Sequence, residues 1–139
     1  IVIAGENTKV REKLERLSRS ADKSVRLLSY TDKVSDYMDV SDLIITKPGG
    51  MTVAEALVKQ LPIFIISPIP GQEEKNSQFL TSRGAAVRIH STESLPGLIT
   101  RFIDTPSMRL AMKKAAESLS KPASGSSALR LIERLAGVL

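Results

Sequence analysis

Short apolar runs alternate with longer amphipathic stretches along the chain. Runs rich in β-branched residues predict five strands, at residues 1–4, 25–30, 43–46, 62–66 and 85–89. Apolar positions three or four residues apart predict a first helix that begins at about residue 8 and further helices at residues 34–40, 52–58, 72–80, 95–103 and 108–119. A last apolar stripe follows at residues 129–139. Strands that alternate with helices through short connections predict right-handed βαβ units. The expected fold is therefore a doubly wound α/β fold, a parallel sheet covered by helices on both faces.

Three local features set the expected boundaries of these elements. The run at residues 1–4 should be a buried parallel strand, and Thr8 should cap the helix that follows it. Pro62 opens the fourth strand, a position where its missing N–H group is tolerated. The Ser-Gly-Ser-Ser sequence at residues 124–127 is expected to be a linker between the last two helices.

Length and composition describe one globular domain. The chain has 139 residues, of which 42% are hydrophobic and 25% charged, and no apolar run approaches the roughly 20 residues that span a bilayer. The lack of cysteine excludes thiol catalysis, disulfides and the common zinc-ribbon sites, and the single His90 excludes a His-pair metal centre. Because the chain begins at Ile1 without a methionine or a secretory signal, we expect a fragment or a mature piece that forms one domain, residues 1–139.

The positive charge is concentrated near the C-terminus. The net charge is +5, and residues 101–139 hold seven Lys or Arg against three Asp or Glu. Aromatic residues make up only 4%, and no base-stacking motif accompanies the basic residues, which argues against nucleic acid as a partner. The basic segment is therefore either a solvated helix face or a surface attracted to an anionic membrane.

The first candidate site is the turn after the third strand. Gly49 and Gly50, followed by Met51 and Thr52, join this strand directly to a helix. In open α/β sheets ligands bind at the carboxyl ends of the strands. Glycines let the free N–H groups of a helix start approach an anion, which the helix dipole also favours. The turn is either a phosphate site or a plain strand-to-helix connection.

Acidic and amide side chains follow in two places. Glu55, three residues after Thr52, is either the acidic partner of a capping box or a carboxylate that accepts both hydroxyl groups of a ribose. After the fourth strand, two prolines and a glycine restrict the loop at residues 68–71 ahead of Gln72, Glu73 and Asn76. These groups are either sugar ligands or a polar helix start with acids near its N-terminus.

Together these loops resemble the C-terminal donor domain of the diacylglycerol glycosyltransferases. The resemblance rests on residues 46–56, on Leu61 and Pro62, on residues 68–73 with Asn76, and on residues 84–86. The family includes the processive diacylglycerol glucosyltransferases and the plant-type monogalactosyldiacylglycerol synthases, and it is related to the peptidoglycan enzyme that adds N-acetylglucosamine to lipid I. The similarity runs from about residue 1 to about residue 120.

The resemblance implies the C-terminal half of a GT-B enzyme that lies in the cytoplasm, peripheral to a membrane. Such an enzyme transfers a hexose from a UDP-sugar to a membrane lipid such as diacylglycerol, with inversion and without a metal. The carried-over donor-site residues are Gly49, Gly50, Met51 and Thr52 for the diphosphate, Glu55 for the ribose, Gln72 and Glu73 for the sugar, and Asn76 for support of that loop. The region from Tyr30 to Val34 would frame the uracil, with Gly5 to Asn7 nearby.

Two departures from this family limit what residues 1–139 are expected to do. The first strand of the donor domain and its glycine-rich turn are absent, so the sheet should show a gap or a rearranged pairing. The acceptor domain with the catalytic base is absent as well, so we expect no catalytic residue in this chain, which alone should bind a donor at best.

Several other functions remain as alternatives. A non-catalytic nucleotide-sugar-binding subunit would need a separate acceptor partner, and the peptidoglycan N-acetylglucosaminyltransferase would use the same donor layout. A UDP-N-acetylglucosamine 2-epimerase is disfavoured because its proton transfers need more than one histidine. A receiver-type domain is disfavoured because Asp32 and Asp42 form no acidic cluster at the strand ends.

Overall fold

The computed structural model describes residues 1–20 and 25–137. Its elements in chain order are β1 (Val2–Ile3), α1 (Thr8–Ser20), β2 (Leu27–Leu28), α2 (Val34–Asp39), β3 (Ile44–Thr46), α3 (Gly50–Val58), β4 (Ile63–Ile65), α4 (Gln72–Ser82), β5 (Ala86–Arg88), a 3-10 turn (Thr92–Ser94), α5 (Leu95–Asp104), α6 (Pro106–Leu119) and α7 (Ser124–Leu135). The predicted alternation of strands and helices is confirmed. The chain divides into two compact units, Ile1–Tyr37 and Met38–Leu139.

The first unit is built around a two-stranded parallel sheet. Val2 of β1 lies opposite Leu27 of β2, and Ile3 lies opposite Leu28. The prediction that the first strand is buried is wrong, since Val2 and Ile3 are 38% and 40% exposed. No described residue of this unit is buried, because two strands of two residues leave each apolar side chain with few neighbours.

Helix α1 is capped by a different residue from the one expected. The side-chain Oδ1 of Asn7 accepts the N–H of Val10 at 3.1 Å, and the Asn7 carbonyl accepts the N–H of Arg11 at 3.0 Å. Thr8 is itself the first helical residue. The cap therefore lies one position earlier than predicted, and asparagine satisfies a free helix-start N–H as well as threonine does.

The second unit is built on a three-stranded parallel sheet in the order β3-β4-β5. Ile44 aligns with Ile63, and Thr46 aligns with Ile65, so β3 and β4 end at the same level. All three residues of the central strand β4 are fully buried. In the core, Phe64 meets Phe102 edge to face, with ring centroids 5.6 Å apart and planes at 75°.

No ladder joins β1–β2 to β3–β4–β5 within the described ranges. The expected gap or rearranged pairing of the sheet stays a prediction. The strands are also shorter than the apolar runs that predicted them, since the run at residues 25–30 contributes only Leu27–Leu28 to a ladder. A ladder needs a hydrogen-bonded neighbour along its whole length, which an apolar run alone does not provide.

The C-terminal segment corrects one prediction. Residues 124–127, expected to be a linker, form the first turn of α7, in which Ser127 N–H donates to the carbonyl of Ala123 at 2.9 Å. Serine and glycine are tolerated there because the first N–H groups of a helix have no intrahelical partner. No residue of α7 is buried, and the end of the predicted apolar stripe, Leu139, lies outside the described residues.

Within residues 1–20 and 25–137, no helix has the length and apolar character needed to cross a membrane.

Candidate functional site

The start of α3 presents three free backbone N–H groups at the carboxyl end of β3. The chain leaves β3 through Pro48, which is buried, and Gly49 occupies the cap position with an extended backbone (φ −66°, ψ 143°). The Gly49 carbonyl accepts the N–H of Val53 at 2.9 Å. Between Gly49 and Val53, the backbone N–H groups of Gly50, Met51 and Thr52 have no hydrogen-bond acceptor within the described residues.

This helix start is open on its outer side. A Cβ atom built on Gly49 would have no neighbour within 4 Å, and the Met51 side chain is 80% exposed. A Cβ atom on Gly50 would meet one neighbour, Nε2 of Gln72, at 3.9 Å. The free N–H groups and the partial positive charge of the helix start therefore lie beside a carboxamide from the next helix.

The capping-box interpretation of Glu55 is wrong. Helix α3 begins at Gly50, so Thr52 is its third residue and Glu55 lies near the end of its second turn, beyond the position that a capping-box acid takes. No side chain caps α3. Glu55 is exposed, and its carboxylate has no hydrogen-bond or ion-pair partner in the described part of the chain. The ribose role remains a prediction.

The start of α4 lies at the carboxyl end of β4 and is tightly constrained. Gly71 takes the cap position with φ 104° and ψ −119°, a conformation that side chains disfavour. Ser67, which precedes the loop, also has a positive φ of 40°. Within the loop, the N–H of Ile69 donates to Oε2 of Glu73 at 2.8 Å. The Glu73 carboxylate therefore bonds to its own loop.

Asn76 joins the two loops. Its Nδ2 donates to the carbonyl of Pro48 at 2.9 Å, so the first turns of α4 are tied to the turn that precedes α3. Gln72 and Asn76 are four residues apart and share a helix face. The structure thus brings together Gly50, Gln72 and Asn76 of the predicted donor site, while Glu73 faces the loop at residues 68–71.

Sequence reasoning missed two contacts at this edge of the sheet. Arg88 of β5 forms an ion pair with Glu74 of α4, which links the helix to the sheet next to the predicted ligands. The second contact is the hydrogen bond from the N–H of Ile69 to the Glu73 carboxylate. Spacing along the chain signals neither contact, because one joins residues far apart and the other uses the backbone.

The remaining predicted residues lie in the first unit. A cleft of about 150 Å³ is lined there by Gly5, Glu6, Thr8, Arg11, Ser29 and Tyr30. The predicted uracil-side residues Gly5 and Tyr30 therefore share one cleft. Tyr30 is 69% exposed there, and Gly5 has a φ of 64°. Asn7 is engaged as the cap of α1, and Val34, the first residue of α2, is half-buried and does not line the cleft.

Arg11 is a cleft residue that the sequence did not single out. Its Nη1 donates to Oγ of Ser29 at 2.9 Å, and its Nε pairs with the Glu15 carboxylate at 2.8 Å. These bonds hold the guanidinium at the cleft wall. Helix α1 contains several basic residues, and the sequence alone does not indicate which of them lines the cleft.

Among the described residues, no three His, Asp or Glu side chains are grouped as a metal site would require. The expectation of a metal-free mechanism remains a prediction.

Parallel strands that end level with one another and feed adjacent helix starts define a Rossmann-like α/β domain. The sequence matches the glycosyltransferase family 28 C-terminal domain over residues 1–134, and the chain belongs to this family. It is 31% identical over 119 residues to a processive diacylglycerol beta-glucosyltransferase of Bacillus subtilis and 32% identical over 119 residues to that of Bacillus licheniformis. Each match covers 86% of this chain but only 31% of the relative's length.

A solved structure supports the fold assignment. The chain is similar to MurG of Acinetobacter baumannii with a TM-score of 0.77, over 95% of this chain and 40% of that one. At 19% identity this likeness concerns the fold alone. The expected fold class, a Rossmann-like C-terminal half of a GT-B glycosyltransferase, is thereby confirmed, and so is the resemblance to the diacylglycerol glycosyltransferases.

Proposed function

We propose that residues 1–139 form the donor-binding domain of an inverting, metal-independent glycosyltransferase that moves a hexose from a UDP-sugar to a membrane lipid such as diacylglycerol. The observation that carries the proposal is the group formed by the free N–H groups of Gly50, Met51 and Thr52 and the Gln72 carboxamide. The names of the relatives, processive diacylglycerol beta-glucosyltransferases, support a glycerolipid acceptor.

The chemistry of a departing nucleoside diphosphate suits this arrangement. Negative charge develops on the diphosphate as the sugar leaves, and fixed N–H donors at a helix start stabilise that charge without having to reorganise. Because α3 and α4 start beside each other, the positive ends of two helix dipoles act on the same region. Such donors supply the stabilisation that a metal ion gives in other transferases.

The other predicted residues complete the donor site in this proposal. Glu55 is exposed one to two turns along α3, where its unpaired carboxylate is available for the two ribose hydroxyl groups. Within the first unit, the uracil role expected of Gly5 and Tyr30 stays a prediction. The acceptor lipid and the catalytic base belong to a further part of the enzyme, so residues 1–139 bind the donor without transferring the sugar, and the enzyme works peripherally at a membrane.

Calorimetric titration of the chain with UDP tests this function. We expect Glu55→Ala to weaken UDP binding by about 1–3 kcal/mol, the usual cost of leaving a hydrogen-bonding group unpaired. The matched control is Glu117→Ala, which removes an exposed helical glutamate of α6 and should leave the affinity unchanged. The affinity should also be equal in EDTA and in magnesium.

Three outcomes would count against the proposal. Wild-type protein that binds no UDP contradicts the donor-domain function as a whole. Equal UDP affinity in Glu55→Ala and wild type removes the ribose role alone. A strict requirement for magnesium contradicts the metal-independent mechanism.

A further inference from the structure

The loop at residues 68–71 depends on one side chain for its shape. Pro68 and Pro70 have no N–H group, so Ile69 and Gly71 are the loop's only backbone donors. The N–H of Ile69 is taken by Oε2 of Glu73 at 2.8 Å. A carboxylate acceptor makes this bond stronger than a neutral one would. Glu73 thus closes the loop onto the first turn of α4.

The residue before Glu73 points to a different neighbour. Nε2 of Gln72 lies 3.9 Å from the position that a Cβ atom on Gly50 would take, beside the free N–H groups of α3. A carboxamide donates hydrogen bonds, whereas a carboxylate only accepts them. Next to a bound diphosphate, Gln72 would add a donor, and a carboxylate in its place would repel the anion.

We propose that Glu73 is a positioning residue: its carboxylate holds the loop through the N–H of Ile69 and so fixes Gln72 where its carboxamide meets the diphosphate. The inference rests on the proposed function for the identity of the ligand, while the hydrogen bond exists without it. It separates two neighbours that the family resemblance assigns together to the sugar. Asn76 secures the same helix start from the other side, through the carbonyl of Pro48.

Two conservative variants of Glu73 distinguish the effect of side-chain length from the effect of charge on the bond to Ile69. Glu73→Gln keeps the length and an acceptor oxygen but removes the charge, whereas Glu73→Asp keeps the charge but is one methylene shorter. Amide hydrogen exchange of Ile69, followed by NMR, reports the bond directly. We expect protection of Ile69 to fall about tenfold in Glu73→Asp, whose carboxylate no longer reaches the N–H, and by a smaller factor of about three in Glu73→Gln, which keeps a neutral and therefore weaker acceptor.

Calorimetry with UDP and with UDP-glucose gives the second measurement. A positioning role predicts that each variant weakens UDP and UDP-glucose by the same factor, and that Glu73→Asp weakens both ligands more than Glu73→Gln does. A direct sugar contact that needs the charge predicts the reverse order, with UDP-glucose affected and UDP unaffected, and that result would overturn the proposal. Equal Ile69 exchange in all three proteins would overturn it as well.

Variants of Gln72 test the other half of the proposal. Gln72→Glu should weaken UDP binding more than Gln72→Ala, because it adds a carboxylate beside the anion. Equal loss of UDP affinity in the two variants, or no loss in either, would show that Gln72 does not contact the diphosphate. If wild-type protein binds no UDP, the proposed function fails, and Ile69 exchange still decides whether Glu73 holds the loop.

Discussion

Asn76 connects the two turns of the candidate site through a single hydrogen bond. Its Nδ2 donates to the carbonyl of Pro48, which is buried and has no other described partner for that oxygen. A carbonyl at a turn between a strand and a helix has no ladder to join, so a side chain from the neighbouring helix satisfies it. The Asn76 side chain therefore stabilises the turn before α3 and also fixes how far that turn lies from α4.

Replacing Asn76 by alanine should separate the two turns. We expect Asn76→Ala to lower the free energy of unfolding by about 1 kcal/mol, the net value of a typical hydrogen bond, and to weaken UDP binding several-fold. Chemical denaturation and calorimetry measure the two effects. Gln78→Ala, at an exposed position of the same helix, is the control and should change neither. Unchanged stability in Asn76→Ala would show that the link is not made in solution.

At the scale of elements, α3 and α4 start side by side because β3 and β4 end in register. Thr46 aligns with Ile65, and each strand leads to its helix through a loop of a few residues. The two loops reach this result differently. The first uses Pro48 and an extended Gly49, whereas the second needs Gly71 with a φ of 104°.

Two glycine-to-alanine substitutions should have opposite effects. Gly71→Ala should lower the free energy of unfolding by about 2 kcal/mol through backbone strain, since a Cβ atom there would meet nothing within 4 Å. Gly97→Ala, in the first turn of α5, is equally free of contacts and should raise stability by about 0.5–1 kcal/mol. Thermal and chemical denaturation measure both. Similar changes in the two variants would contradict the strain at Gly71.

The sequence predicts the order and type of the elements well, and their ends poorly. Apolar periodicity identifies each strand and helix because it reflects which face is packed. Boundaries depend on neighbours that the pattern does not show: Asn7 replaces Thr8 as a cap, and residues 124–127 join α7. For the site, the glycine turn was predictable, while the bond from Ile69 to Glu73 was not, because it joins a side chain to a backbone donor.

At the scale of the whole molecule, the two units differ in how much they bury. The second unit contains a fully buried strand and an aromatic core, whereas no described residue of Ile1–Tyr37 is buried. Local stability follows buried apolar contacts, so the first unit should open more often. This unit carries the cleft lined by Gly5, Arg11 and Tyr30.

Hydrogen exchange should show this difference. The N–H of Ala4 bonds to the carbonyl of Leu28, and the N–H of Ile89 bonds to the carbonyl of Ile65, both at 2.9 Å. We expect the Ala4 amide to exchange at least about a hundredfold faster than the Ile89 amide, although the two bonds have equal length. Equal exchange rates without ligand would show that the first unit is as stable as the second.

The level ends of β3 and β4 place a limit on how the domain can be altered. The six residues between Ile65 and Gln72 form the connection from β4 to α4, so deleting one would either strain this connection or draw Gln72 out of the helix start, and both would move its carboxamide away from Gly50 even if every strand stayed in place. Insertions or deletions in this connection are therefore not neutral. A designer who wishes to graft new specificity onto the domain should exchange side chains there and leave the number of residues untouched.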